Sequence, residues 1–101
     1  MYRGTTPTLY LELDTTLDLS NVAEMWVTLK SPSVEVTKTF EEVMFDAETN
    51  VITVILSQDE TLAFYKGVIE VQVRIRTSEN LAYATDIAKV EVGKILKEGV
   101  I

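Results

Sequence analysis

The stretch Val68-Ile69-Glu70-Val71-Gln72-Val73-Arg74-Ile75-Arg76-Thr77 decides the fold. Ile69, Val71, Val73 and Ile75 recur at every second position, with Glu70, Gln72, Arg74 and Arg76 between them. Successive side chains of a strand point to opposite faces, so this alternation predicts a long strand with one face in a core and the other in water. Ser78-Glu79-Asn80 then turns the chain into a further strand over Leu81 to Val92. Arg74 and Arg76 share the wet face with Gln72 and Glu70. Two arginines on one face are read as cross-strand partners of acidic neighbours, not as a nucleic-acid stripe.

Upstream, the same period of two recurs. Thr8-Leu9-Tyr10-Leu11-Glu12-Leu13 carries leucine at alternate positions, and Val22 to Lys30 places Met25, Val27 and Leu29 on one side. The turn Ser31-Pro32-Ser33 joins that second strand to Val34 to Phe40, because proline fixes φ and lacks the donor a ladder needs. Val43-Met44-Phe45 and Val51 to Leu56 form another hairpin across Asp46 to Asn50, with Asn50 suited to a left-handed backbone. Ser57-Gln58-Asp59-Glu60 has capping-box spacing and predicts a short helical turn near residues 58–65, ending before Gly67. The tail from Lys94 to Ile101 fits either a helical turn or an added strand.

About seven short strands and one helical turn in 101 residues predict a single domain, 1–101. The expected architecture is all-β, a two-sheet antiparallel β-sandwich of immunoglobulin-like type, with an open barrel as the nearest alternative. Hydrophobic residues at 47% and charged residues at 25% are an ordinary globular balance, enough for one core. There is no cysteine, so disulfides and thiolate-bound zinc are excluded. No apolar run reaches the length of a membrane span, and cytosolic synthesis is the expectation. Sixteen acidic residues against nine basic ones give a net charge of -7, which repels phosphate backbones and anionic lipid. Neither nucleic acid nor membrane is an expected partner.

The chain has no histidine and no cysteine, which removes the usual general bases and nucleophiles. Glu41 with Glu42 and Asp59 with Glu60 are adjacent acids at loops and helix starts, where solvation or the helix dipole accounts for them. The expectation is therefore a non-enzymatic protein without catalytic residues, cofactor or bound metal. Asp46, Glu48 and Asn50 imitate the start of a calcium loop. The sixth position is Val51 where glycine is required and the twelfth is Ser57, not glutamate, so the EF-hand reading fails; an ordinary solvated hairpin loop is the main reading, with looser calcium binding by the acidic loops as the alternative.

Apolar residues on faces expected to be wet are more informative. Tyr10 sides with Thr8 and Glu12, and Trp26 with Glu24, Thr28 and Lys30. Val51 to Leu56 is apolar on both faces except at Thr53, as in a strand covered twice. A bulge that shifts the parity, or packing over a sheet edge, is one explanation. A protein interface is the other, since aromatic residues are enriched at contact centres. Ile95, Leu96, Val100 and Ile101 add a second apolar group. The candidate interface is thus Tyr10, Trp26, Ile95, Leu96, Val100 and Ile101.

The order of these features carries a resemblance. Thr5-Thr6-Pro7-Thr8 precedes an alternating strand, and Leu17-Asp18-Leu19-Ser20-Asn21-Val22 precedes a second. Val51 to Leu56, Ser57-Gln58-Asp59-Glu60-Thr61 and Gly67 then lead to two more strands. Over residues 4–92 this order resembles the N-terminal β-sandwich domain of phage baseplate upper proteins and the short prophage-encoded proteins similar to it. Membership implies a virion or assembly component, synthesised in the cytoplasm of a bacterial host, which docks on identical copies or on other phage structural proteins. The longer members continue into a region that this chain lacks after its sandwich, so host recognition is not part of the expectation. The alternative function is a stand-alone ligand-binding or carbohydrate-binding sandwich using Trp26 and Tyr10 as stacking platforms.

Overall fold

The computed structural model describes residues Met1 to Ile101. Its strands are β1 (Thr8–Glu12), β2 (Val22–Lys30), β3 (Glu35–Thr39), β4 (Met44–Asp46), β5 (Val51–Ile55), β6 (Gly67–Thr77), β7 (Ala82–Ala84) and β8 (Ala88–Val92). A 3₁₀ turn (Phe40–Glu42) links β3 to β4, and helix α1 (Gln58–Ala63) links β5 to β6. The strands form two antiparallel sheets: one of three strands in the order β1-β5-β4, and one of five in the order β3-β2-β6-β7, with β8 also on β6.

The alternation read from the sequence sets the inward faces. Met25, Val27 and Leu29 from β2 meet Ile69, Val71, Val73 and Ile75 from β6, all buried. Across the sandwich stand Ile52, Val54 and Leu56, also buried, and all ten belong to one cluster. The expected β-sandwich is therefore present, with its core between the two sheets. In the seven-strand immunoglobulin order the second strand pairs with the first and fifth. Here β2 stands between β3 and β6, so the first hairpin lies wholly in the larger sheet.

Both expected turn signals operate. Ser57 Oγ accepts from the Glu60 amide at 3.2 Å while Glu60 Oε1 accepts from the Ser57 amide at 2.8 Å, closing the capping box of α1. The helix stops at Ala63, two residues short of the expected end, because Phe64 turns to extended backbone and buries its ring in the core. Gly67, at φ 134, takes a conformation that residues with a Cβ rarely adopt and starts β6. Asn50, at φ 55, closes the β4–β5 hairpin as its left-handed residue. Its amide Nδ2 donates to the carbonyls of Asp14 and Leu17 at 2.9 and 3.0 Å, pinning the β1–β2 connection to the hairpin.

The segment expected as one strand, Leu81 to Val92, is two. β7 pairs with residues 74–76 of β6 and β8 with residues 67–71, and the register slips by one residue between them. The slip has a physical cause. Tyr83 is odd-numbered, Val90 and Val92 are even, and all three must face the core, so one extra residue has to be absorbed. Thr85 stabilises the break: its amide donates to the Val73 carbonyl at 2.9 Å and its hydroxyl accepts from the Val73 amide at 3.0 Å.

The β3–β4 side of the sandwich is closed. Phe40 and Phe45 meet edge to face at 6.5 Å, and Lys38, pointing inward from β3, forms an ion pair with Glu60 of α1 at 2.6 Å. An inward lysine on an edge strand also discourages pairing with a further strand. The N-terminal residues cover the end of β8 through hydrogen bonds between Gly93 and both Met1 and Arg3. The tail 94–101 is neither helix nor strand and lies beside α1. There Arg3 pairs with Glu98, and the Gln58 side chain bonds both the amide and the carbonyl of Ile101.

Candidate interaction surfaces

The three-stranded sheet has no layer over its outer face. Thr53 stands at its centre, with Tyr10 opposite it on β1 and Met44 opposite it on β4. Ile55 follows two residues on. Tyr10, Met44 and Ile55 are 69, 60 and 55% exposed. At one end of this face Glu12 and Asp46 flank Val51, so the apolar area has an acidic border on that side only. The doubly apolar β5 thus buries one face, Ile52 and Val54, and leaves Val51, Thr53 and Ile55 on a face that nothing in the chain covers.

The outer face of the larger sheet is different in kind. Trp26 is 44% exposed and faces outward, although β2 has a one-residue register shift between Val22 and Glu24. The guanidinium of Arg74 covers its ring from the neighbouring strand. Arg76 pairs with Glu24 at 3.3 Å, the acidic cross-strand partner expected from the sequence, whereas Arg74 forms no ion pair and lies on Trp26 instead. Tyr10 and Trp26 therefore lie on opposite faces of the sandwich, and no single surface presents both rings.

On the side away from the 3₁₀ turn, the two sheets part. A cleft of about 580 Å³ opens between the end of β1 and β7, with Leu13, Val73, Ile75 and Tyr83 beneath it. Glu12, Asp14 and Asp86 border it, and none of the three forms an ion pair. The Asp14 carboxylate accepts from both the amide and the hydroxyl of Thr16, which holds its pKa below the ordinary 3.8. That carboxylate stays charged at neutral pH.

The expected apolar tail divides. Ile95 is half-buried, with its Cδ1 and the Leu62 side chain both against Gly4. Leu96 is 96% exposed, and Val100 and Ile101 are exposed as well. Of the six candidate residues, Tyr10 and Trp26 are set apart and the tail residues divide as described, while Met44 and Ile55 join Tyr10 unannounced. Their signal was present in the sequence: both sit on strands whose alternate positions already fill the core. No three His, Cys, Asp or Glu side chains converge in a metal-binding arrangement. No helix is long and apolar enough to cross a membrane.

The chain matches no family model, no curated protein and no solved structure. The functional reading rests on these surfaces and on the order of the strands.

Proposed function

We propose that the chain is a non-enzymatic structural or assembly module of phage or prophage type, acting through contacts with its own copies or neighbouring structural proteins. The observation that carries the reading is the uncovered row Tyr10, Thr53 and Met44 with Ile55 beside it. Contiguous apolar area on a monomer's surface marks a contact site more often than scattered residues do.

A second copy fits this face in particular. With its acidic border at one end only, two such faces stacked about a two-fold axis bring the apolar rows together and hold Glu12 and Asp46 of the two copies apart. The phage setting is supported by the resemblance in strand and turn order over residues 4–92.

The test is solution mass by light scattering behind size-exclusion chromatography over a concentration series. The reading expects a defined oligomer that persists in Trp26→Ala and falls to a smaller mass in the double variant Tyr10→Ser, Met44→Thr. A monomer at every concentration overturns self-association through this face.

A further inference from the structure

The geometry points to a head-to-tail contact in which Leu96 of one copy, flanked by Lys94 and Lys97, docks in the acid-bordered cleft between β1 and β7 of the next. The contact does not use the apolar row Tyr10, Met44 and Ile55 of the small sheet. It shares with the proposed function the choice of a second copy as partner and Glu12, which borders both surfaces.

Three observations support this occupant. The first is charge. In a chain of net charge -7, the segment Lys94-Ile95-Leu96-Lys97 places two lysines around an exposed leucine, and neither lysine forms an ion pair. The cleft offers the complement: an apolar floor under Glu12, Asp14 and Asp86, which are likewise unpaired. Complementary charge at such a site steers encounter and fixes orientation, while the buried apolar side chain supplies contact area.

The second is presentation. Ile95 packs toward Gly4 and Leu62, Glu98 pairs with Arg3, and Ile101 is bonded by Gln58. Those ties hold the backbone on both sides of Leu96 and Lys97, so the two side chains project without the tail having to detach. Little ordering entropy is then lost on docking.

The third is position. The tail leaves from Gly93, next to the Gly67–Val92 pair at the start of β6, whereas the cleft lies over Val73, Ile75 and Tyr83 toward its far end. Gly67 and Ile75 are separated by roughly 26 Å of strand at the usual rise per residue. A tail tied to Arg3 and Gln58 does not reach its own cleft. Two different complementary surfaces, separated along β6, make a heterologous contact, which repeats as a ring or a filament.

The chain has no cysteine, so engineered ones report contacts directly. Full-length Leu96→Cys chain is mixed with full-length Leu17→Cys chain, Leu17 lining the cleft and packing toward the core, and oxidised mildly. The expected result is a mixed disulfide dimer in clear excess over that from Leu96→Cys with Met44→Cys, suppressed by high salt. Equal yields from the two pairings overturn the proposal. A charge swap gives a second reading by sedimentation. Lys97→Glu alone and Asp86→Lys alone each weaken this association by about tenfold, and an equimolar mixture of the two restores it. Association unchanged in both single variants also overturns the proposal. In the Tyr10→Ser, Met44→Thr background the Leu96–Leu17 cross-link is expected to persist. Its persistence with loss of the outer-face oligomer, or the converse, shows which of the two contacts has failed.

Discussion

Arg74 and Trp26 are directly opposed across the β2–β6 ladder, and the guanidinium carbon lies 5.6 Å from the centre of the indole ring. The ring is thus half-covered by its own chain, on a face that otherwise pairs Lys30 with Glu70 and Glu24 with Arg76. A tryptophan in that position stabilises the sheet before it serves any partner. The uncovered apolar area is on the opposite face, where Tyr10 has no such neighbour.

Stacking of Arg74 on Trp26 predicts a measurable coupling. Trp26→Ala and Arg74→Ala each lower stability by about 1 kcal/mol, and a double-mutant cycle returns about 0.5 kcal/mol of interaction, as for an exposed cation–π pair. Urea unfolding followed by far-UV circular dichroism measures all four corners. Strictly additive losses would mean that the stack contributes nothing.

Asn50 combines a left-handed backbone with two side-chain hydrogen bonds to the β1–β2 connection. Asn50→Gly keeps the backbone relaxed but leaves the Asp14 and Leu17 carbonyls without those donors, at a loss of about 2 kcal/mol. Asn50→Ala adds the strain of φ 55 on a residue with a Cβ and loses about 3 kcal/mol. The order of the two in thermal unfolding checks the assignment; an alanine variant at least as stable as the glycine variant contradicts it.

Thr61 is buried in α1, where its hydroxyl accepts from the Thr5 amide at 3.1 Å and donates to the Thr5 carbonyl at 2.9 Å, with the Gln58 carbonyl also in reach at 3.2 Å. Thr61→Val keeps the shape and removes these bonds. Stability drops by about 2 kcal/mol, because a part-buried amide is left without its acceptor. Hydrogen exchange should show the Thr5 amide losing protection by more than β6 amides do.

Acid should weaken the fold through Glu60. Burial by itself raises its pKa, but the Lys38 ion pair and the bonds from Ser57 outweigh it, so the value lies below the ordinary 4.5. A carboxyl with a depressed folded-state pKa contributes stability that is present above its unfolded pKa and is lost as pH falls through the folded value. Stability is therefore expected to be flat above about pH 5 and to decline below the ordinary glutamate value. Glu60→Gln removes about 1 kcal/mol at pH 7 and flattens part of that decline. Asp14, Asp18 and Glu42, each held below its ordinary value by hydrogen bonds from Thr16, Ser20 and Thr39, act in the same direction and account for the slope that remains. A Glu60→Gln profile parallel to that of the parent protein would remove Glu60 from this account.

Much of this architecture is local and was therefore legible in the residues. Alternation is a property of consecutive side chains, so Ile69 to Ile75 and Met25 to Leu29 declare their inward faces without reference to any partner strand. Ser57 with Glu60, and Asn50 at its turn, are read the same way, because a cap or a left-handed residue needs only its neighbours in sequence. Even the division of Leu81 to Val92 left a trace in the change of parity between Tyr83 and Val90.

What the sequence by itself determined, then, is the strands up to the division of Leu81 to Val92, their wet and dry sides, the all-β class and the lack of histidine and cysteine chemistry; that the strands stack as a sandwich and not an open barrel came from the tertiary structure. Only the tertiary structure decided that β2 joins β6 and not β1, and that Tyr10 and Trp26 face away from each other. It alone brought Glu12, Asp14 and Asp86 around one cleft far from Leu96. The reason is that strand pairing and sheet stacking are chosen by contacts between residues distant in the chain. A pattern of period two fixes which way a side chain points, but not which residue it meets.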